Sequence, residues 1–443
     1  MSDLTQYQIK ARSAAGLVRE IESALARGEL SPGQPLPSVR QLAAQISLSP
    51  ATVAAGLAEL RRRGVIVTEQ RRGTRIGQAP PIGSVTASLP VSPGARDLSR
   101  GNPDPALLPD LSRALARLDL PRRLYGEPAA LAALTELAGE QLGADGIPGG
   151  DLCIVSGALD GIERVLAARL RPGDRVAVEN PGYAALFHLL RAHGLSLEPV
   201  RIDERGMVPS SLEDALKRGA RALVITPRGQ NPTGAALDAE RSLELRTVLA
   251  GAPQTLVIED DHLGGLAGSP LHSVVAGAEN WAATRSVAKA LGPDLRLAIL
   301  AGDSESIARV QGVQACGPGW VSHILQRLVL ALLRDPEVGG LISRARDTYT
   351  QRRGFLLDAL AAHGICASGR SGLNVWVPVA EETSVVAGML ARGWVLSPGV
   401  SYRLGDSPPA VRVTISTLER EQALRLAGDL AQAIGSASSD RSG

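Results

Sequence analysis

Lysine is almost absent from this chain. Among its 443 residues and 47 basic side chains only Lys10, Lys217 and Lys289 are lysines, and the rest are arginine. Arginine keeps its proton in proteins, whereas a lysine amine can lose it and attack an aldehyde. Each retained amine therefore draws attention, and Lys289 draws the most. It lies in the string Ser286-Val287-Ala288-Lys289, with Arg296 seven residues on, whereas Lys10 and Lys217 sit in polar helical stretches. Cysteine is equally scarce. Cys153, Cys316 and Cys366 are far apart, form no metal spacing and cannot all pair, which points to a reduced, cytoplasmic compartment. There is no apolar run long enough for a bilayer and no basic-then-apolar leader pattern, so neither a membrane span nor a secretory signal is expected. With two Phe, four Trp and five Tyr, an aromatic beside a motif carries weight.

What is present is ordinary globular composition, 44% hydrophobic and 21% charged, enough for two or three domains. The formal net charge is only +2, but it is uneven. Residues 1–77 hold eleven basic and six acidic side chains, a surplus of five, so the remainder is mildly acidic. A basic module on an acidic body suits an anionic polymer.

That module reads as helix, helix-turn-helix and wing. Leu17, Ile21 and Leu25 make an apolar stripe over residues 11–27. Ser38 with Gln41 three residues on forms a capping box. Ser49 followed by Pro50 opens a second helix to about Arg63, with Val53, Leu57 and Leu60 on its inner face. Residues 65–68 and 73–76 read as a hairpin tipped by Arg71 and Arg72. This is a DNA-binding layout. The strings at residues 28–33, 36–43 and 72–74, with Thr52, Val53, Leu57, Leu60 and Gly64, resemble the GntR-type winged helix-turn-helix. The resemblance implies DNA contacts from Arg40, Ser49, Thr52 and Gly73. Arg71, Arg72 and Arg75 would join Arg40 on phosphates. Pro50 departs from the arginine frequent at its place, and Ala54, Ala55 and Gly56 offer few donors for base readout. Residues 78–96, with four prolines and no acid, read as a semi-extended linker.

Beyond it, strand and helix patterns alternate, which predicts an α/β domain with a mostly parallel sheet, followed by a smaller C-terminal α+β part. Apolar strands are expected at residues 152–155, 175–178, 222–225 and 255–258. Ligands of such folds bind beyond the strands' carboxyl ends, and each end carries a candidate. Ser156, Gly157 and Ala158 open a helix, where backbone amides can meet a phosphate. Tyr183 follows the second strand and could stack on a planar ring or pack in the core. Asn231 lies in an Asn-Pro-Thr-Gly turn, and Glu259, Asp260 and Asp261 follow the fourth strand. Ser286, Lys289 and Arg296 complete the series. Amides, a hydroxyl and an arginine suit a phosphate; an amine and an aromatic face suit an aldehyde on a ring; a carboxylate suits a ring nitrogen. Together they describe pyridoxal 5′-phosphate.

Residues 97–435 resemble the aspartate-aminotransferase fold, type I among pyridoxal-phosphate enzymes. The resemblance implies Lys289 as the Schiff-base lysine, Asp260 on the ring nitrogen, Asn231 on the ring hydroxyl and Tyr183 on the ring face. Gly157, Ala158, Ser286 and Arg296 would hold the phosphate, joined by Tyr125 across a dimer interface, and Arg412 would bind a substrate or effector carboxylate. His262 stands where the family usually has a tyrosine two or three residues beyond the aspartate; it could donate a hydrogen bond or titrate near neutrality.

The expected organisation is a reader at 1–77, a linker at 78–96, a pyridoxal-phosphate-binding body at 97–435 and a flexible tail at 436–443. That order resembles the MocR subfamily of bacterial transcription regulators. The resemblance implies a cytoplasmic homodimer, arranged head to tail and without membrane contact. It would bind operator DNA with an affinity gated by pyridoxal phosphate held as an aldimine on Lys289, alone or with an amino acid or amine. The competing reading is an active aminotransferase that carries a DNA-binding module; the presence of the reader weighs against it. No metal site is expected.

Overall fold

The computed structural model describes residues 11–26, 29–31, 33–62, 65–69, 73–76, 94–405 and 407–439. Lys10, Arg71, Arg72 and residues 78–93 of the expected linker lie outside the described residues.

The N-terminal module comprises α1 (Ala14–Ala26), α2 (Val39–Gln45), α3 (Pro50–Arg62) and the antiparallel pair β1 (Ile66–Glu69) and β2 (Gly73–Ile76). Its helix starts follow from the serines. Ser38 Oγ accepts from the Gln41 amide while Gln41 Oε1 accepts from the Ser38 amide at 3.0 Å, a reciprocal cap. Ser49 Oγ accepts from the Thr52 amide at 3.1 Å, and Pro50 takes the first helical position, where no donor is needed. Leu17 and Ile21, Leu42, Val53, Leu57 and Leu60, and the wing's Ile66 and Ile76 form one buried core. Gly56 lets α3 lie close on α1: a Cβ there would stand 3.0 Å from Leu17 Cδ2 and 3.2 Å from the Ala14 carbonyl oxygen.

The body begins with β3 (Arg96–Asp97), α4 (Leu111–Leu115) and α5 (Ala132–Ala144). There follow β4 (Asp151–Val155), α6 (Ala158–Arg169), β5 (Arg175–Asn180), α7 (Ala184–Ala192), β6 (Ser196–Asp203), β7 (Gly206–Met207) and α8 (Pro209–Lys217). Then come β8 (Ala220–Ile225), α9 (Ala239–Ala250), β9 (Leu256–Asp261), β10 (Trp281–Ser286), α10 (Ala288–Leu291) and β11 (Ala298–Gly302). The eight-stranded sheet has the order β4-β11-β10-β9-β8-β5-β6-β7. It is mixed: β8, β9 and β10 run parallel, while β11 is antiparallel to both its neighbours. All four expected strands are present, and the acids provide a correction. Glu259, Asp260 and Asp261 belong to β9 itself and are buried, because β9 is central and covered on both faces.

Helices α11 (Ser304–Cys316), α12 (His323–Arg334) and α13 (Pro336–Ala362) lead into the smaller part. It contains β12 (Asn374–Pro378), α14 (Glu382–Ala391), β13 (Trp394–Val395), β14 (Ser397–Pro398), β15 (Ala410–Thr414) and α15 (Arg420–Ser439). Strands β12, β15 and β14 form a sheet, and β13 pairs with β3. Helix α15 runs to Ser439, past the expected boundary at 435, and residues 440–443 of the expected tail lie outside the described residues.

Candidate functional site

The alternation of a strand places Glu259 and Asp261 on one face of β9 and Asp260 on the other. Register then assigns their partners. Thr284 of β10 pairs with Asp260, and its Oγ1 donates to Asp260 Oδ1 at 3.3 Å; Arg285 pairs with Asp261. Burial, with the neighbouring Asp261 charge, pushes Asp260 up to about 7, against the Thr284 bond. Asp261 behaves oppositely. Burial would raise it, but the Arg228 and Arg285 guanidiniums, each with nitrogens at 2.8 to 2.9 Å, hold it below the usual carboxylate range. Asp145, after α5, closes the cluster at 2.6 Å from Arg285. Glu259 is held by the Ser273 hydroxyl and the Val274 amide. The three adjacent acids thus have distinct surroundings, and among the described residues Asp260 is the one whose side chain is held only by a long bond from a hydroxyl.

Lys289 stands on α10, just past β10. Its Nζ donates to the Gly101 carbonyl at 2.7 Å. Burial, then the Arg412 charge, pulls this amine down to about 8. Arg412, in the middle of β15, is 4% exposed. One of its nitrogens donates to Asn231 Oδ1 at 2.8 Å, another donates to the Ser99 carbonyl, and its guanidinium carbon lies 4.9 Å from the centre of the Tyr402 ring. Its Nε is buried without a hydrogen-bond partner among the described residues. Burial pushes the Tyr183 phenol above its ordinary value, as do Asp260 and Tyr402, while Arg412 and Arg296 pull it back. Tyr183 is therefore within electrostatic reach of these four residues.

The start of α6 makes a cradle. Gly157 is its N-cap, at φ 103°, and no side chain caps the helix. Arg296 lies across that turn: its Nη2 donates to the Ser156 carbonyl at 3.0 Å, and a Cβ on Gly157 would come within 2.7 Å of it. Ser286 sits at the end of β10, its hydroxyl accepting from the Ala288 amide at 3.2 Å. First-turn amides left uncapped, a glycine and an arginine suit a phosphate. An amine with a depressed pKa and an acid short of partners suit an aldehyde and a ring nitrogen. The residues present therefore fit pyridoxal phosphate.

One expectation changes. Burial and the Lys289 charge pull His262 down to about 4, so it is neutral at physiological pH and does not titrate near it. Tyr125, expected to reach the phosphate across a dimer interface, is 91% exposed and edge-on to Trp320 at 5.7 Å. In the reader, Arg40 and Ser49 are exposed and Gly73 has φ 78°. Ser49 and Thr52 share a hydroxyl contact of 2.8 Å, while Arg75 donates inward to the Gly33 carbonyl at 3.2 Å and is only partly available to a phosphate. Sequence reasoning missed Thr284, Tyr402 and the Arg228–Asp261–Arg285–Asp145 cluster. Tyr402 was findable as one of five tyrosines, following Pro398-Gly399; the cluster joins four distant segments and leaves no local pattern.

The aminotransferase class I and II profile matches residues 96–430, and that of the bacterial regulatory proteins of the gntR family matches residues 14–76. The vitamin B6 salvage pathway transcriptional repressor PtsJ of Salmonella typhimurium is 41% identical over 429 residues, covering 96% of this chain and 99% of that protein. The pyridoxine biosynthesis transcriptional regulator PdxR of Corynebacterium glutamicum is 31% identical, covering 75% of this chain and 72% of that protein. Among solved structures, the α-aminoadipate aminotransferase LysN of Thermus thermophilus superposes with a TM-score of 0.69 at 23% identity. That match covers 77% of this chain and 92% of LysN and bears on the fold.

Proposed function

Because the chain belongs to the MocR-type regulators, a class I and II aminotransferase body behind a gntR-family reader, we propose that pyridoxal phosphate bound in the body gates the reader's affinity for DNA. The observation that carries this reading is the double engagement of one strap. The Gly101 carbonyl takes the Lys289 amine and the Ser99 carbonyl takes Arg412. A ligand that claims these two side chains competes with the strap, which follows directly on the linker in sequence. Gating needs such unequal binding to two conformations.

Lys289, Asp260, Asn231, Tyr183 and His262 would surround the ring, and Gly157, Ala158, Ser286 and Arg296 the phosphate. When bound, the cofactor supplies an electrophilic carbonyl carbon and an electron-withdrawing ring. With a pKa of about 8, roughly a quarter of Lys289 is unprotonated at pH 7.5, against a trace at the ordinary lysine value. Asp260, ionised, would hold a proton on the ring nitrogen; neutral His262 can donate or accept but adds no charge. Tyr125 would complete the phosphate site of a second copy. Its exposure, with that of Leu124 at 77% and Ile324 at 50%, supports a dimer contact on this side of the body. The relatives' names favour pyridoxal phosphate itself as the sensed ligand and vitamin B6 supply as the controlled process. Among the described residues no helix is long and apolar enough to cross a membrane, and a DNA reader belongs in the cytoplasm.

The test is a gel shift on the protein's own upstream DNA, with and without pyridoxal phosphate, for wild type and Lys289→Ala. The cofactor should change the wild-type shift, give visible absorption and leave a borohydride-fixed adduct on the peptide that contains Lys289; the variant should do none of these. Identical shifts in all four samples would end the gating reading. The second reading, an active aminotransferase, is favoured only by the buried Arg412, whose free Nε suits a ligand carboxylate. Steady multiple-turnover keto-acid formation from a panel of amino donors would establish it.

A further inference from the structure

We propose that Asp160 sets the affinity of the phosphate cradle, holding it below what the same turn could reach. This rests on the reading of the cradle given above. Asp160 is the third residue of α6, and its side chain turns back toward the cradle. Its Oδ2 accepts from the Ser156 amide at 2.8 Å, and its Oδ1 accepts from Arg164 Nε at 2.9 Å. The backbone of Ser156 is thus held at both its polar groups, its N–H by Asp160 and its carbonyl by Arg296 at 3.0 Å.

Two consequences act in the same direction. The Ser156 amide, one residue before the N-cap Gly157, is withdrawn from any anion. A fixed negative charge also stands one peptide from the cradle, with both carboxylate oxygens engaged and its side chain only 22% exposed. Arg164 offsets that charge, and Arg296 remains the positive group on the turn itself. An asparagine would accept the same amide without the charge, so the carboxylate is not needed to shape the turn. An enzyme gains from never releasing its cofactor. A sensor of that cofactor must release it when its concentration falls, and a nearby carboxylate weakens binding of a phosphate dianion while leaving the rest of the ligand untouched.

The full-length wild type, Asp160→Asn, Asp160→Ala and Arg164→Gln are titrated with pyridoxal phosphate and with pyridoxal, which lacks the phosphate. Binding is read by visible absorption, and the ligand-free fold is checked by thermal unfolding. Asp160→Asn should bind pyridoxal phosphate roughly tenfold more tightly, with pyridoxal changed less than about twofold. Asp160→Ala should move the same way, and Arg164→Gln the opposite way. Unchanged or weaker pyridoxal phosphate binding by a folded Asp160→Asn overturns the proposal, as does equal tightening toward both ligands. If wild type gains no absorption with pyridoxal phosphate, the cradle reading itself is wrong and takes this inference with it.

Discussion

Replacing Asp260 by asparagine should stabilise the ligand-free protein and weaken its hold on pyridoxal phosphate. Asp260 is 8% exposed, and among the described residues its side chain has only the Thr284 hydroxyl at 3.3 Å. Its pKa, raised from 3.8 to about 7, fixes the sign. A carboxyl raised in the folded state is bound to its proton more tightly there. Its contribution to stability is fully present below pH 3.8 and is lost as pH rises through about 7. By pH 8 the loss approaches about 4 kcal/mol as an upper figure, and about 2 kcal/mol of it accrues between pH 5.5 and 7. Glu179 and Glu259, pushed by burial to about 8 and about 7, add to the slope in both proteins, so the difference between them isolates Asp260. Thermal unfolding of the ligand-free proteins at pH 5.5 and 8 reads the effect. Asp260→Asn should melt higher by a few degrees at pH 8, with a smaller gap at pH 5.5. Added pyridoxal phosphate should raise the melting point of wild type more than that of the variant. A variant no more stable at pH 8, or a gap that ignores pH, would refute the claim that this acid is kept at a cost for a cationic partner.

Other substitutions probe separate parts. Asp261→Leu strands Arg228 and Arg285, leaving them Asp145 as their one carboxylate and, for Arg228, the Ser269 carbonyl, so it should cost about 3–5 kcal/mol in denaturant unfolding. Gly56→Val drives a branched side chain into Leu17 and the Ala14 carbonyl, so the reader should lose about 1–3 kcal/mol of stability and DNA binding at 37 °C, with cofactor uptake unchanged. Arg40→Ala should weaken gel shifts across all sequences and lower the slope of log affinity against log salt by about 1. An effect confined to one operator would instead make Arg40 a base reader.

Whatever depends on neighbours in sequence was legible before the structure. The Ser38 and Ser49 caps need only residues within three positions, and the chemistry beyond each strand could be read from short strings around Gly157, Tyr183, Asn231 and Lys289. What was not legible depends on register and burial. Nothing local says that Thr284 will stand opposite Asp260 and Arg285 opposite Asp261, yet that pairing decides which acid is tied to arginine and which is left for a ligand. The three acids read as residues that follow a strand, and only the position of β9 between β8 and β10 shows that they belong to it and are buried. His262 makes the same point in charge. An unburied imidazole would switch near neutrality; burial beside Lys289 takes it to about 4 and turns a candidate pH sensor into a fixed neutral group. Any pH response of ligand binding above pH 6 should therefore follow Lys289 and Asp260, and His262→Asn should leave that profile in place. A profile that flattens in the variant would show that the imidazole titrates after all.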